Sequence, residues 1–107
     1  MHGWSLRFYV HESQRHAGRP LYQWLLETAR AHDVPGGSAF RAVAGFGRHH
    51  VLNEQHFFEL AGQSTMMVEF IVDTRQADQL LALVEGEHLP LFHVRSAIEF
   101  GTSPTTG

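Results

Sequence analysis

Two stretches of strict apolar alternation, each followed by a helical stripe, limit what this chain can build. Trp4, Leu6, Phe8 and Val10 alternate with Ser5, Arg7, Tyr9 and His11, and Met66, Val68, Phe70 and Val72 alternate with Met67, Glu69, Ile71 and Asp73. A period of two marks a strand with one core face. After the first stretch, the polar ESQRHAG leads to Pro20, which suits a first helical turn because its missing N–H costs little there. Leu21, Leu25, Thr28, Ala29 and His32 then recur at three- and four-residue spacing, and the run stops at Asp33-Val34-Pro35-Gly36-Gly37. This predicts a helix over about 20–33. After the second stretch, Asp73 and Gln76 have the spacing of a capping box, and Ala77, Leu80, Leu81 and Val84 form an apolar stripe, which predicts a helix over about 74–86.

Two further strands complete the order. Phe40, Ala42 and Ala44 alternate with Ala39, Arg41 and Val43 up to Gly45, and Phe92, Val94, Ile98 and Phe100 mark the last strand. The order β-α-β-β-α-β predicts an α+β fold, one antiparallel sheet with both helices on one face. The other face is expected to carry Arg7, Tyr9, His11, Arg41, Val43, Glu69, Ile71, His93 and Arg95. Such a mosaic is either a solvated sheet face or a wet subunit interface.

At 107 residues the chain suits one core, and 43% hydrophobic with 18% charged residues is the composition of a folded domain. The balance of 8 basic against 11 acidic residues argues against nucleic acid or an anionic membrane as the main partner. With no cysteine, thiolate metal sites, cysteine nucleophiles and disulfides drop out. The start MHGWSLRFYV has no signal-peptide pattern, and the aliphatic run Leu80 to Val84 is far short of the ~20 residues of a membrane span. No membrane insertion and a cytoplasmic location are the expectations.

Residues 44–62, AGFGRHHVLNEQHFFELAG, join the second and third strands where a hairpin would need only a few residues. Gly45 and Gly47 permit positive φ, which lets backbone N–H groups and the Arg48 guanidinium converge on an anion; a structural clamp of Arg48 on backbone carbonyls is the alternative. His49, His50 and His56, with Glu54 and Glu59, have the donor types of a zinc site, although adjacent histidines on one strand point to opposite faces. The alternative has them solvated, with Phe57, Phe58 and Leu60 packing the base of the loop. Arg19 before Pro20 either assists an anion at the helix N-terminus or is solvated. Tyr22 and Trp24 read as packing residues. Catalysis has little support, because His11 and Glu12 point oppositely on one strand and no serine has a nucleophile-elbow context.

RFYVHE at 7–12, GRPLYQWLLETAR at 18–30, FRAVAGFGRHH at 40–50 and LPLFHV at 89–94 resemble the PII-like family known as domain of unknown function 190. GFGR, the long loop and EFIVDTRQADQLLALV are more distantly similar to PII nitrogen-regulatory proteins. The resemblance implies a ferredoxin-like fold over residues 1–101, with the long loop at 45–65 and a polar tail at 102–107. It further implies a homotrimer that binds a small anion, nucleotides being one class, in clefts between subunits, and that reports it to a partner protein through loop 46–63. Gly45, Phe46, Gly47 and Arg48 match the start of the PII partner-binding loop, and together with His49 and His50 they are the expected ligand-binding residues. The loop after helix two reads EGEHLPLF and the last strand VRSAIEFG, so the glycine- and lysine-rich loop and paired arginines of PII proteins are replaced. No cofactor is identified. The expected role is non-enzymatic signalling or regulation, with a histidine-rich metal-binding trimeric module as the alternative and a small enzyme as the second.

Overall fold

The computed structural model describes residues 1–46 and 65–104. Its elements in chain order are β1 (His2–His11), β2 (Arg15–His16), β3 (Arg19–Pro20), α1 (Leu21–Ala31), β4 (Gly37–Arg41), β5 (Thr65–Val72), α2 (Thr74–Gly86) and β6 (Phe92–Glu99). The main sheet has the order β4-β5-β1-β6 and is antiparallel throughout. Each helix connects an inner strand to the edge strand on the far side of the other inner strand, which is the ferredoxin-like arrangement.

The alternating runs place the core as expected. Leu6, Phe8 and Val10 from β1 and Met66, Val68, Phe70 and Val72 from β5 are buried beneath Leu21, Leu25 and Ala29 of α1 and Ala77, Leu80 and Val84 of α2. Phe8 and Phe70 meet edge to face with centroids 6.3 Å apart, an arrangement in which the positive ring edge faces the negative ring face. Tyr22 and Trp24 pack against this core, as their positions on α1 predict.

Helix boundaries follow from local chemistry. The Asp73 carboxylate accepts the Gln76 N–H at 2.7 Å while the Gln76 side chain accepts the Asp73 N–H at 3.0 Å, so the predicted capping box is present in both directions. Gln76 Nε2 also donates to the Asp33 carbonyl, tying the start of α2 to the end of α1. Both helices end in the same way. The Val34 N–H donates to the Ala29 carbonyl and the Asp33 N–H to Arg30, while Leu89 donates to Val84 and His88 to Glu85. These are the bond pairs of a Schellman motif, with Asp33 at φ 66° and His88 at φ 57° in the left-handed position.

Three expectations are corrected. The polar connection ESQRHAG, with Arg19 and Pro20 after it, forms the hairpin β2–β3, whose central Ala17 and Gly18 have φ of 53° and 81°, the signs that a tight primed turn requires. Its His16 meets Glu87 at 2.8 Å and packs edge-on against Trp24. The second strand ends at Arg41 rather than at Gly45, and Ala42 makes one further bond, its N–H to the Thr65 carbonyl at 2.8 Å. The third correction concerns both edge strands. Phe8 pairs with His93 and Leu6 with Arg95, so His93 and Arg95 lie on the helix side, and Phe92, Val94 and Ile98 lie on the open face with Tyr9 and Arg7. On the other edge Met66 pairs with Arg41 and Met67 with Phe40, which puts Arg41 on the helix side and Phe40 on the open face. A shift of one residue in pairing exchanges the two faces of a strand.

Candidate functional site

The sheet face that no described helix covers, and the point where the chain leaves it, form the candidate site. From the inner strands the face receives Ser5, Arg7, Tyr9, Met67, Glu69 and Ile71; from the edges it receives Phe40, Phe92, Val94 and Ile98. Phe40 and Phe92 are 49% and 43% exposed, high values for phenylalanines held in strands. Tyr9 and Phe92 are directly paired across β1 and β6, and their rings lie 5.6 Å apart. An aromatic pair of this kind stabilises the edge strand and leaves a broad apolar surface outward.

A charged pair, Arg7 with Glu69, interrupts this surface. Glu69 Oε2 accepts from Ser5 Oγ at 3.0 Å and from Arg7 Nε at 3.1 Å, and Arg7 Nε also lies 3.1 Å from Ser5 Oγ. Ser5 is buried beneath the pair. Its hydroxyl bridges two ionised groups that are themselves half-exposed.

The helix side treats its edge cations differently. Arg95 reaches Asp78 of α2 at 2.8 Å and lies 4.5 Å from the centre of the Trp4 ring, while Trp4 Nε1 donates to Thr74 Oγ1. Arg41 and His93 are exposed on that side, so the helices leave the sheet edges partly open, and a long side chain there can lay its stem on apolar surface. Arg41 pairs with Glu12, the Nε to Oε1 distance being 3.3 Å. Hydrogen bonding to that carboxylate, then its charge, raises the Arg41 pKa above its ordinary value. The carboxylate that sequence considered beside His11 for catalysis is thus half of a clamp where β4 ends.

Of the expected ligand-binding residues, Gly45 and Phe46 are both exposed, Phe46 by 85%, and Val43 beside them is fully exposed. Among the described residues only Gly18 is a glycine with positive φ, so Gly45 does not use the freedom expected of it. Gly47, Arg48, His49 and His50 lie outside the described residues, as do Glu54, His56 and Glu59. Arg19 pairs with Glu27, an outcome between the two readings offered for it. The residues that sequence reasoning missed are Phe40, Phe92, Val94 and Ile98, and their signal was the register of the edge strands. Among the described residues no helix is long and apolar enough to cross a membrane.

This geometry defines a ferredoxin-like α+β protein with one sheet face turned away from its helices. Residues 3–88 match the family DUF190, described as an uncharacterized ACR. The chain is 30% identical over 83 residues to a UPF0166 protein of Aquifex aeolicus (strain VF5), covering 78% of this chain and 79% of that one. It superposes with a TM-score of 0.56 on the crystal structure of a Thermus thermophilus protein described as a PII-like signaling protein, at 18% identity, covering 91% and 89% of the two chains. The chain belongs to the DUF190 family and has the PII-like fold.

Proposed function

We propose that this chain is a non-enzymatic PII-like regulator. It assembles as a homotrimer through its open sheet face, binds a small anion in the clefts between subunits, and signals occupancy through residues 46–63. The observation that carries the reading is the orientation of β6. That edge strand turns Phe92, Val94 and Ile98 away from the helices and gives Arg95 to the helix side, an arrangement that, among the described residues, leaves apolar surface for a partner to cover. The PII-like fold of the Thermus protein and the long segment between β4 and β5 support the signalling part.

The ligand would meet Gly45, Phe46, Gly47, Arg48, His49 and His50, with Arg48 supplying the charge. Replacement of the PII glycine- and lysine-rich loop by EGEHLPLF favours an anion held differently from a PII nucleotide. A thermal-shift panel of nucleotides, small organic anions and divalent metals tests the class, since a ligand bound only by the folded state raises the midpoint by mass action. An anion response supports this reading, whereas a metal response alone supports the histidine-rich module. Arg48→Ala is expected to weaken anion binding in calorimetry by about 1.5–3 kcal/mol, the range for a hydrogen bond to a charged group. Unchanged affinity with an intact oligomer removes Arg48 from the site.

A further inference from the structure

Among the described residues, the charged cluster on the open face uses only part of its bonding capacity. Arg7 commits Nε, which lies 3.1 Å from Ser5 Oγ and from Glu69 Oε2, and Glu69 commits Oε2. Among the described residues the two terminal nitrogens of the guanidinium and Oε1 of Glu69 have no partner, and the two side chains are 37% and 26% exposed. A guanidinium presents five N–H donors in a planar fork, so four donors and one carboxylate oxygen remain on this partly exposed pair. Around them lie Tyr9, Met67, Ile71 and Val94.

A purely apolar partner would strip water from these groups and return nothing, which is costly for any polar group and more so for an ion. An occupant that pairs both ions brings a carboxylate to Arg7 and a cation to Glu69, at the spacing of two neighbouring strands. A second copy of this chain carries that pair of charges on the same two strands, Arg7 on β1 directly opposite Glu69 on β5. We infer that the unused halves of Arg7 and Glu69 cross the subunit boundary, Arg7 of each copy pairing with Glu69 of the next, and that this exchange selects copies of this chain over other partners. Matched pairs are then formed with self, and like charges or unpaired ions are buried with anything else. The inference rests on the proposal that the open face is the assembly surface.

The test is a charge exchange. Chains carrying Arg7→Glu together with Glu69→Arg keep the internal pair and regenerate every crossing pair with one another, but set Arg against Arg and Glu against Glu beside the native chain. The exchanged chain is expected to reach the native mass by light scattering. Its subunit exchange with native chains, read by energy transfer between labelled copies, should fall at least about tenfold below exchange among native chains, the effect of roughly 1.4 kcal/mol. Free mixing at native mass overturns the inference and leaves the assembly standing. A native chain that is monomeric at all concentrations overturns both. If the exchanged chain fails to fold by circular dichroism, Arg7→Glu and Glu69→Arg are made separately and mixed. Co-assembly stronger than either shows alone supports the crossing pairs, and equal behaviour alone and mixed rejects them.

Discussion

Gly37 begins β4 directly opposite Phe70, and a Cβ built on it would lie 2.5 Å and 2.7 Å from two atoms of that ring and 3.1 Å from Leu26 Cδ2. The glycine is there for close packing between an edge strand, an inner-strand aromatic and α1. Gly37→Val is therefore expected to destabilise the fold by about 1–3 kcal/mol in urea denaturation, as overpacking does. His88 presents the opposite case, a side chain in a left-handed position that glycine fills at no steric cost. The left-handed penalty of about 1–2 kcal/mol exceeds the unfolded-state entropy of about 0.4–1 kcal/mol that glycine adds, so His88→Gly should stabilise by roughly 0.5–1 kcal/mol. A denaturation midpoint that falls instead would show that the imidazole makes a contact worth more than its strain. Asp33 has the same conformation at the end of α1, with a smaller gain expected because the short polar side chain of aspartate can hydrogen-bond locally there.

At the scale of elements, pairs of partners join strands to helices at the margins of the core. The hairpin β2–β3 is held by His16 against Glu87 and by Arg19 against Glu27. Hydrogen bonds from Gln23 and Arg19 lower the Glu27 pKa, and these outweigh the opposing effect of burial. Because the folded-state value is the lower one, this contribution is present above the ordinary carboxylate range. It is lost as pH falls below about 4.5 and through the folded value. Glu27→Gln should flatten the acid side of the stability profile and change it little at neutral pH beyond removing a small constant, since the pair is exposed to solvent. An acid limb of unchanged slope would mean that the pair does not form in solution. The edge strands show a second property of elements. Their faces are set by which inner-strand residue they oppose, and β6 opposes β1 in the register Leu6 to Arg95.

For the whole molecule the consequence is an apolar surface that spans all four strands of the sheet. Phe40 lies at one edge and Phe92 at the other, with Met67, Ile71 and Tyr9 between them. On the assembly reading, Phe92→Asp places a charge in the covered face without touching the helix-side core, so the circular dichroism spectrum should be retained while the mass by light scattering falls to that of one chain. Retained assembly would move the interface off this face. Val43, fully exposed beside the end of β4, is expected to lose area with Tyr9 and Ile71 when copies associate, which protection from hydrogen exchange can follow.

The inner strands and both helices were legible because each carries its own periodicity. Leu6, Phe8 and Val10 can satisfy a core in only one orientation, and Asp73 with Gln76 caps a helix through bonds spanning three residues. Local chemistry of that kind is written in neighbouring letters. The orientation of β4 and β6 was not, because Phe92 and Val94 are apolar while His93 and Arg95 have long stems that a half-covered edge accepts, so alternation alone reads either way. Only the pairing of β4 with β5 and of β6 with β1, and the presence of Trp4 and Asp78 to receive Arg95, decided which set faced outward. The apolar face that follows is a property of strand register, and register depends on contacts between residues far apart in the chain.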